Sequence, residues 1–207
     1  MKGTFIIAEI AQAHDGSLGI LHSYIDALSK TGIDAIKFQT HIAKSESSSE
    51  EPFRVNFSYV DQTRYDYWKR MEFTREQWIE IKKHCEDVGL EFMSTPFSVE
   101  AVDLLEEIGI TRYKISSGDV ENFLLLEKIA KTNKPILISS GMSSFSELDA
   151  AVDFLEKFGA DISIFQCTSM YPTPAKKVGL NVIQELKNRY GKAVGLSDHT
   201  GSIFAPR

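Results

Sequence analysis

The sequence predicts an α/β protein of the (β/α)8 (TIM) barrel class. Short apolar runs alternate with amphipathic stretches along the chain of 207 residues, a pattern typical of parallel strands covered by helices. Polar residues close nearly every apolar run. The sequence also has no Gly-x-Gly-x-x-Gly turn, the phosphate-binding turn of many doubly wound sheets.

Seven apolar runs are predicted to be strands: Phe5–Ile10, Ala35–Thr40, Glu91–Pro96, Arg112–Ser117, Pro135–Ser140, Ile162–Thr168 and Ala193–His199. Polar side chains such as Lys37, Lys114 and Ser197 stand near their carboxyl ends. A barrel gathers these ends of all its strands around one mouth, whereas a doubly wound sheet concentrates its chemistry at one switch point. The distribution of polar residues therefore favours the barrel.

Amphipathic periodicity predicts a helix between each pair of strands: Leu18–Thr31, Arg75–Gly89, Val99–Ile108, Leu124–Thr132, Ser146–Phe158 and Leu180–Tyr190. Glycine at or just after the end of several of them is the usual stop signal of a helix. A complete barrel has about 250 residues, and only seven strands are found. We therefore expect residues 1–207 to form an incomplete barrel domain, truncated after about seven strands and without the eighth βα unit.

One connection, residues 41–73, is far longer than the two to six residues usual for a βα loop. It begins with a serine- and glutamate-rich stretch and then becomes aromatic, with Phe53, Phe57, Tyr65 and Trp68 among its residues. A disordered linker would lack such aromatic residues. We expect an inserted loop at the mouth that serves either as a lid or as a subunit contact.

Composition limits the functional classes. The formal net charge of −6 argues against a nucleic-acid-binding surface. No apolar run approaches the roughly 18 residues of a membrane span, and the start has no signal-peptide pattern. The two cysteines, Cys85 and Cys167, are too few for a disulfide framework. We expect a cytoplasmic protein without membrane or nucleic-acid partners, in which Cys167 is a packed thiol.

The candidate site residues begin with Lys37 and Lys114, because lysine is depleted in strands and almost never buried unpaired. One hypothesis is a shared cavity in which both lysines clamp a carboxylate or phosphate, helped by neighbouring hydroxyls. A second is a pair of structural ion pairs with Glu9 or Asp119. A third is a class I aldolase, in which one lysine forms a Schiff base with a carbonyl substrate.

Histidine and neutral polar residues at the strand ends add to this set. His199 follows a strand and stands beside Ser197 and Asp198. This position indicates metal ligation or acid–base chemistry about as strongly as a structural histidine at the rim, whose hydrogen bonds are satisfied within the protein. Gln39, Gln166 and Tyr171 suit a polyhydroxy substrate. His22, His41 and His84 are interpreted as surface or loop residues.

Seven ordered blocks of sequence resemble the N-acetylneuraminate (sialic acid) synthase family. They are Ile6–Ile10 with His14–Gly16, Ile36–Thr40, Ser94–Phe97, Tyr113–Gly118, Ser140–Met142, Gln166–Ser169 with Tyr171 and Pro172, and Gly195–Thr200. The resemblance implies a transferase of sialic acid biosynthesis that condenses phosphoenolpyruvate with N-acetylmannosamine or a related N-acetylated amino sugar. It also implies a divalent metal, Mn²⁺ or Mg²⁺, which makes the sugar aldehyde electrophilic, and a homodimer of the full-length protein.

The resemblance also implies roles for individual residues. Glu9, Lys37, Lys114 and His199 take catalytic positions, and His199 is in addition a metal ligand. The substrate-binding positions are Gln39, Thr95, Ser117, Asp119, Ser169, Tyr171 and Ser197. Among them, Lys37, Thr95, Lys114, Ser117 and Ser197 hold the carboxylate and phosphate of phosphoenolpyruvate, with Ser169 as a further contact. Asp119 and Tyr171 meet the sugar.

Departures from the family pattern affect the expected substrate and activity. Ala11 and Ala13 stand where glycine and asparagine are frequent, and Asp119 is shorter than the usual glutamate. These changes indicate another acceptor, as in legionaminate-type or pseudaminate-type synthases. The family's second metal histidine and its C-terminal antifreeze-like domain have no counterpart in residues 1–207, so we expect the fragment not to turn over. A non-catalytic barrel that serves as a binding subunit remains the alternative from another class.

Overall fold

A computed structural model describes residues 3–205, and the chain divides after Thr111 into two compact units. The first unit contains three strands and five helices in this order: β1 (Ile7–Glu9), α1 (Leu18–Leu28), β2 (Ala35–Thr40), α2 (Ala43–Glu46), α3 (Arg64–Met71), α4 (Arg75–Asp87), β3 (Glu91–Pro96) and α5 (Val99–Ile108). The strands are parallel, with β2 between β1 and β3.

The second unit repeats the alternation of strand and helix: β4 (Tyr113–Ile115), α6 (Phe123–Ala130), β5 (Ile136–Ser139), α7 (Phe145–Glu156), β6 (Ile162–Cys167), a 3₁₀ turn (Ala175–Lys177), α8 (Leu180–Tyr190) and β7 (Ala193–Ser197). Its four strands are parallel and neighbours in sequence are neighbours in the sheet. None of the helices within residues 3–205 combines the length and apolarity that crossing a bilayer requires.

The first unit buries one face of its sheet against α4. The indole of Trp78 packs edge-on against the rings of Phe38, Phe73 and Phe92, and it is almost fully buried. Because side chains alternate across a strand, Phe38 faces the helices and its neighbour Lys37 lies on the opposite face. This alternation separates the apolar core of the unit from the polar face that carries the candidate site.

Helix ends follow the predicted signals. Helices α3, α4 and α7 each begin with a capping box, in which the N-cap hydroxyl and the side chain three residues later bond each other's backbone N–H. The glycines after α1, α4, α7 and α8 have φ angles of 61° to 79°, a conformation that costs glycine nothing.

The predicted strands are confirmed in number and order within the described residues, and their ends differ from the prediction by at most two residues. The first strand begins at Ile7 because the backbone N–H of Ile6 donates to Asp34 Oδ2 at 2.7 Å. The seventh ends at Ser197 because the Asp198 carboxylate accepts from Thr200 and bends the chain there.

The long connection, residues 41–73, contains α2 and α3 and is fastened to its surroundings in the first unit. Arg70 pairs with Asp61 and with Asp15, and its guanidinium also lies 5.5 Å from the ring of Tyr67. The carboxylate of Glu72 accepts the backbone N–H of Ala43. The connection is therefore tied down at several points along its length.

Candidate functional site

Lys37 on β2 is the centre of the polar face of the first unit. Its ammonium pairs with the carboxylate of Glu9, its register partner on β1, and donates to Thr95 Oγ1 on β3 at 3.2 Å. The Lys37 side chain is 12% exposed, so it is shielded without being sealed from solvent. Three neighbouring strands thus supply one cation, one carboxylate and one hydroxyl.

Gln39 lies two residues further along β2, on the same face as Lys37. Its carbonyl oxygen accepts from Gln12 Nε2 at 2.9 Å and lies 3.3 Å from His41 Nε2. Because the carbonyl is engaged on both sides, the orientation of the amide is fixed and its NH₂ group is left as the donor. This arrangement suits a hydroxyl or carbonyl oxygen of a bound molecule.

His41 lies in the loop between β2 and α2, as one half of its interpretation as a surface or loop residue had it, but it is buried and not at the surface. Its ring is 5% exposed and stacks between Trp68, with centroids 3.9 Å apart, and Phe97, with centroids 4.3 Å apart. Its Nδ1 lies 2.7 Å from Glu46 Oε2. Trp68 belongs to α3 and Phe97 directly follows β3. Both are distant from His41 in sequence, so the residues around His41 give no sign that its ring is buried.

His14 lies in the turn after β1 and is 2% exposed. Its Nδ1 accepts the backbone N–H of Gly16 at 3.0 Å, and its ring packs against Phe73. Burial lowers the pKa of His14 to about 4, since an apolar environment disfavours the charged imidazole. The ring is therefore neutral near pH 7, with its proton on Nε2.

Lys114 on β4 is the buried cation of the second unit, as Lys37 is of the first, and it is 5% exposed. Its ammonium donates to Ser139 Oγ and to the carbonyl of Ile115, and it lies 5.2 Å from the centroid of the Phe165 ring. The Phe165 ring in turn occupies space that a side chain at Gly195 would fill. The cation is thus set between hydroxyl and aromatic partners, as cation–π geometry favours.

Ser117, Ser169 and Ser197 are the predicted hydroxyl donors of the second unit. Ser197 Oγ lies 3.4 Å from Ser139 Oγ, the partner of Lys114. Ser117 Oγ accepts the backbone N–H of Gly141 at 3.1 Å and lies 3.6 Å from Cys167 Sγ. Ser169 Oγ lies 3.9 Å from the same sulfur. Hydroxyls from four separate segments therefore converge at the strand ends of this unit.

His199 follows β7, and its Nδ1 lies 3.1 Å from the carbonyl oxygen of Thr168. An N–H at Nδ1 donates to that carbonyl, which leaves the Nε2 lone pair as the free ligand atom, the usual arrangement of a metal-binding histidine. The ring packs against Tyr171, with centroids 4.4 Å apart. His199 is therefore suited to be one ligand of a metal ion. Residues 3–205 contain no group of three His, Cys, Asp or Glu side chains arranged to hold a metal.

The remaining predicted residues divide into two kinds. Tyr171 is exposed, and the Asp119 carboxylate accepts from the hydroxyl of Ser116. Gln166, by contrast, is buried and its amide donates to the carbonyl of Val178 at 3.1 Å. The expectation that Gln166 offers hydrogen bonds to a substrate was wrong, because that group holds the chain before α8 in place.

The structure thus brings the predicted residues together in two groups. Glu9, Lys37, Gln39 and Thr95 form the group of the first unit. Lys114, Ser117, Asp119, Ser169, Tyr171, Ser197 and His199 lie at the strand ends of the second. That both groups serve one anion stays a prediction.

Sequence reasoning missed three contributors in the second unit: Ser139, Gly141 and Cys167. Ser139 and Gly141 stand at a strand end rich in small polar residues, which was a usable signal. Cys167 gave no such signal, because its importance comes from contacts with residues 30 to 50 positions away.

Comparisons with known proteins show what the chain is similar to. The sequence model of the NeuB family matches residues 24–207. The chain is 36% identical over 209 residues to N,N'-diacetyllegionaminic acid synthase of Campylobacter jejuni, covering 98% of this chain and 63% of that protein. It is 32% identical over 203 residues to human N-acetylneuraminate-9-phosphate synthase, covering 96% of this chain and 56% of that protein.

A solved structure, the N-acetylneuraminic acid (sialic acid) synthetase of Leptospira borgpetersenii in complex with citrate, is similar in fold. The TM-score is 0.86 at 30% identity, over 99% of this chain and 68% of that one. The predicted fold class, α/β of the (β/α)8-barrel type with seven strands in the described residues, is confirmed. The chain spans about 60% of the length of the curated relatives named here.

Proposed function

Because the chain belongs to the NeuB family, we propose that it is the barrel portion of a nonulosonic (sialic-type) acid synthase. The reaction joins C3 of phosphoenolpyruvate to the aldehyde carbon of an N-acetylated amino sugar. Water adds at C2, and phosphate leaves with cleavage of the C–O bond. The products are a nine-carbon 2-keto acid and inorganic phosphate.

The observation that carries the proposal is the pairing of each rim lysine with hydroxyl groups at parallel strand ends. Lys37 donates to Thr95. Lys114 donates to Ser139, whose hydroxyl in turn lies beside that of Ser197. Ammonium and hydroxyl donors are the groups that bind phosphate and carboxylate oxygens. Each lysine is largely buried, so its charge acts in a medium of lower dielectric than water.

The residues have separate tasks in this proposal. Lys114, Ser117, Ser169 and Ser197 bind the phosphate and Lys37 with Thr95 binds the carboxylate. The Glu9 carboxylate, held by Lys37 and by the backbone N–H of Ala11, orients the water that adds at C2. The NH₂ group of Gln39 and the side chains of Asp119 and Tyr171 bind the sugar.

His199 fits a divalent metal through Nε2, and Mn²⁺ or Mg²⁺ bound there would polarise the sugar aldehyde as a Lewis acid. The other ligands of such a site would come from outside the described residues or from substrate and water. The carbonyl of Thr168 keeps the His199 ring in the orientation that presents Nε2.

The test uses the full-length protein with phosphoenolpyruvate and a panel of N-acetylated hexosamines and diacetamido sugars. Phosphate release coupled to formation of a 2-keto acid, lost with a chelator and restored by Mn²⁺, is the expected result. Borohydride with substrate should trap no covalent adduct on Lys37 or Lys114. Trapping of an adduct, with activity indifferent to chelation, would establish the Schiff-base aldolase instead. Absence of turnover with every acceptor would favour the binding subunit.

A further inference from the structure

Cys167, the last residue of β6, lies where three predicted site residues of the second unit meet. Its Sγ is 3.6 Å from Ser117 Oγ, 3.9 Å from Ser169 Oγ and 3.9 Å from His199 Nδ1. The side chain is 7% exposed. The sulfur therefore contacts two candidate anion-binding hydroxyls and the candidate metal ligand.

Gly141 completes the surroundings of the sulfur. A Cβ at this position would lie 2.7 Å from Cys167 Sγ, 2.6 Å from Ser169 Oγ and 2.9 Å from Ser117 Oγ. The glycine backbone instead donates its N–H to Ser117 Oγ at 3.1 Å. The hydroxyls, the sulfur and a backbone donor are thus packed at contact distance, which leaves no room for a side chain at position 141.

Sulfur differs from oxygen in a way that matters at this place. A thiol is a weak hydrogen-bond donor and acceptor, and its contacts here are far longer than a strong O–H···O bond of about 2.5–3.0 Å. The Ser117 hydroxyl donates to this sulfur, and it gives up only a weak bond when it turns to a stronger acceptor, such as a phosphate oxygen. An oxygen at position 167 would compete for those donors.

We propose that Cys167 is a positioning residue for anion binding, whose sulfur bonds the Ser117 and Ser169 hydroxyls so weakly that both can turn to an anion. The ligand chemistry is that of a phosphate monoester or inorganic phosphate. This inference rests on the proposed function, in which Ser117 and Ser169 hold the phosphate. It adds a residue whose hydrogen bonds to the two hydroxyls are weak enough to be exchanged for bonds to the anion.

The experiment compares Cys167→Ser and Cys167→Ala in the full-length protein, with Cys85→Ser as the matched control. Cys85 is likewise a buried thiol, but it lies on α4 in the core of the first unit. The measurements are kcat, the KM for phosphoenolpyruvate, the Kd for inorganic phosphate by calorimetry, and Tm.

Cys167→Ser should raise the KM for phosphoenolpyruvate and the Kd for phosphate about tenfold, the size expected when one hydrogen bond to a charged group is weakened. Its kcat should change less than about threefold, because the loss falls on binding. Cys167→Ala introduces no competing oxygen, so both constants should stay within about threefold of wild type. Cys85→Ser should leave both unchanged.

Two results would overturn the proposal: wild-type constants in Cys167→Ser, or a tenfold loss in Cys167→Ala at unchanged Tm, which would assign the effect to packing alone. A tenfold loss in the alanine variant would overturn the proposal even if the serine variant does not fold. A wild-type protein that binds phosphate but releases none from phosphoenolpyruvate would contradict the proposed function, while the Kd values would still judge Cys167. A wild-type protein that binds neither anion would contradict both.

Discussion

Lys37 and Glu9 are register partners on adjacent parallel strands, and the ammonium of the first is paired with the carboxylate of the second. The sequence left open whether this lysine serves a structural ion pair or a bound anion. The pair is compatible with both, because the lysine also reaches Thr95 and keeps some exposure. A double-mutant cycle separates the two roles.

Lys37→Met should raise the KM for phosphoenolpyruvate in the full-length protein by about 10- to 100-fold, the value of one or two charge-assisted hydrogen bonds. The double variant Lys37→Met with Glu9→Gln should be about as stable as Lys37→Met, since the Glu9 side chain is 37% exposed and its unpaired carboxylate stays solvated, and it should not regain the KM. Lys82→Gln is the control, because Lys82 pairs with Glu86 on an outer helix. Recovery of the KM in the double variant would assign Lys37 a structural role.

Gly141→Ala should destabilise the protein and weaken phosphate binding together. The added methyl group would lie within 3 Å of two hydroxyl oxygens and one sulfur, and overpacking of this kind costs about 1–3 kcal/mol. Thermal denaturation and phosphate titration measure the two effects. Gly19→Ala is the control, since only Ser17 Oγ, at 4.0 Å, is near its added Cβ in α1, and it should be neutral or stabilising. A Gly141→Ala protein with wild-type Tm and phosphate affinity would contradict the described packing.

The lowered pKa of His14 predicts a stability loss in mild acid. The folded protein holds this ring neutral down to about pH 4, whereas the unfolded chain takes up a proton near pH 6.5. The free energy of unfolding should therefore be unaffected by this group above pH 6.5, fall as the pH drops to 4, and lose at most about 3 kcal/mol in all.

His14→Asn should remove that part of the pH dependence, because asparagine offers an acceptor to the Gly16 N–H but does not titrate. Urea denaturation of both proteins at pH 7.0, 5.5 and 4.5 gives the comparison, and carboxylate effects cancel in the difference. Identical slopes in the two proteins would refute the assignment.

The stack of His41 between Trp68 and Phe97 should hold the 41–73 connection in place. Trp68→Ala removes one face of the stack and should cost about 2 kcal/mol, less than a fully buried tryptophan. Trypsin should then cut sooner after Arg64 and Lys69. Tyr59→Ala, at a fully exposed position in the same connection, is the control and should change neither stability nor cleavage. Equal protease resistance in both variants would show that the stack does not anchor the segment.

The sequence was most informative about elements whose signals are local. The strands Ala35–Thr40 and Glu91–Pro96 and the helix Val99–Ile108 have the predicted bounds, because apolar periodicity and the flanking residues specify them. The ends of β1 and β7 were displaced by side-chain bonds from Asp34 and Asp198. Side chains that bond the backbone in this way do not alter the pattern of apolar and polar residues, so the sequence does not show where they end a strand.

The candidate site was predictable as a set of residue types at strand ends, but only some of its pairings were. The ion pair of Lys37 with Glu9 was one of the alternatives, and strand register selects it. Gln166 was assigned to a substrate and instead bonds Val178. His41 was assigned to the surface or a loop, and it is a loop residue buried by rings 27 and 56 positions later in the chain. These outcomes arise from contacts between distant segments, which a single sequence does not reveal.

The capping box at Thr74 and Gln77 fixes the start of α4 independently of the 41–73 connection that precedes it. Its hydrogen bonds lie wholly within residues 74–77, so α4 begins there whatever length of chain comes before it. Lineages of such proteins are accordingly free to lengthen, shorten or rewrite the preceding stretch without shifting the phase of the next strand. Changes of sequence or length in that stretch can then accumulate while the start of α4 is left undisturbed.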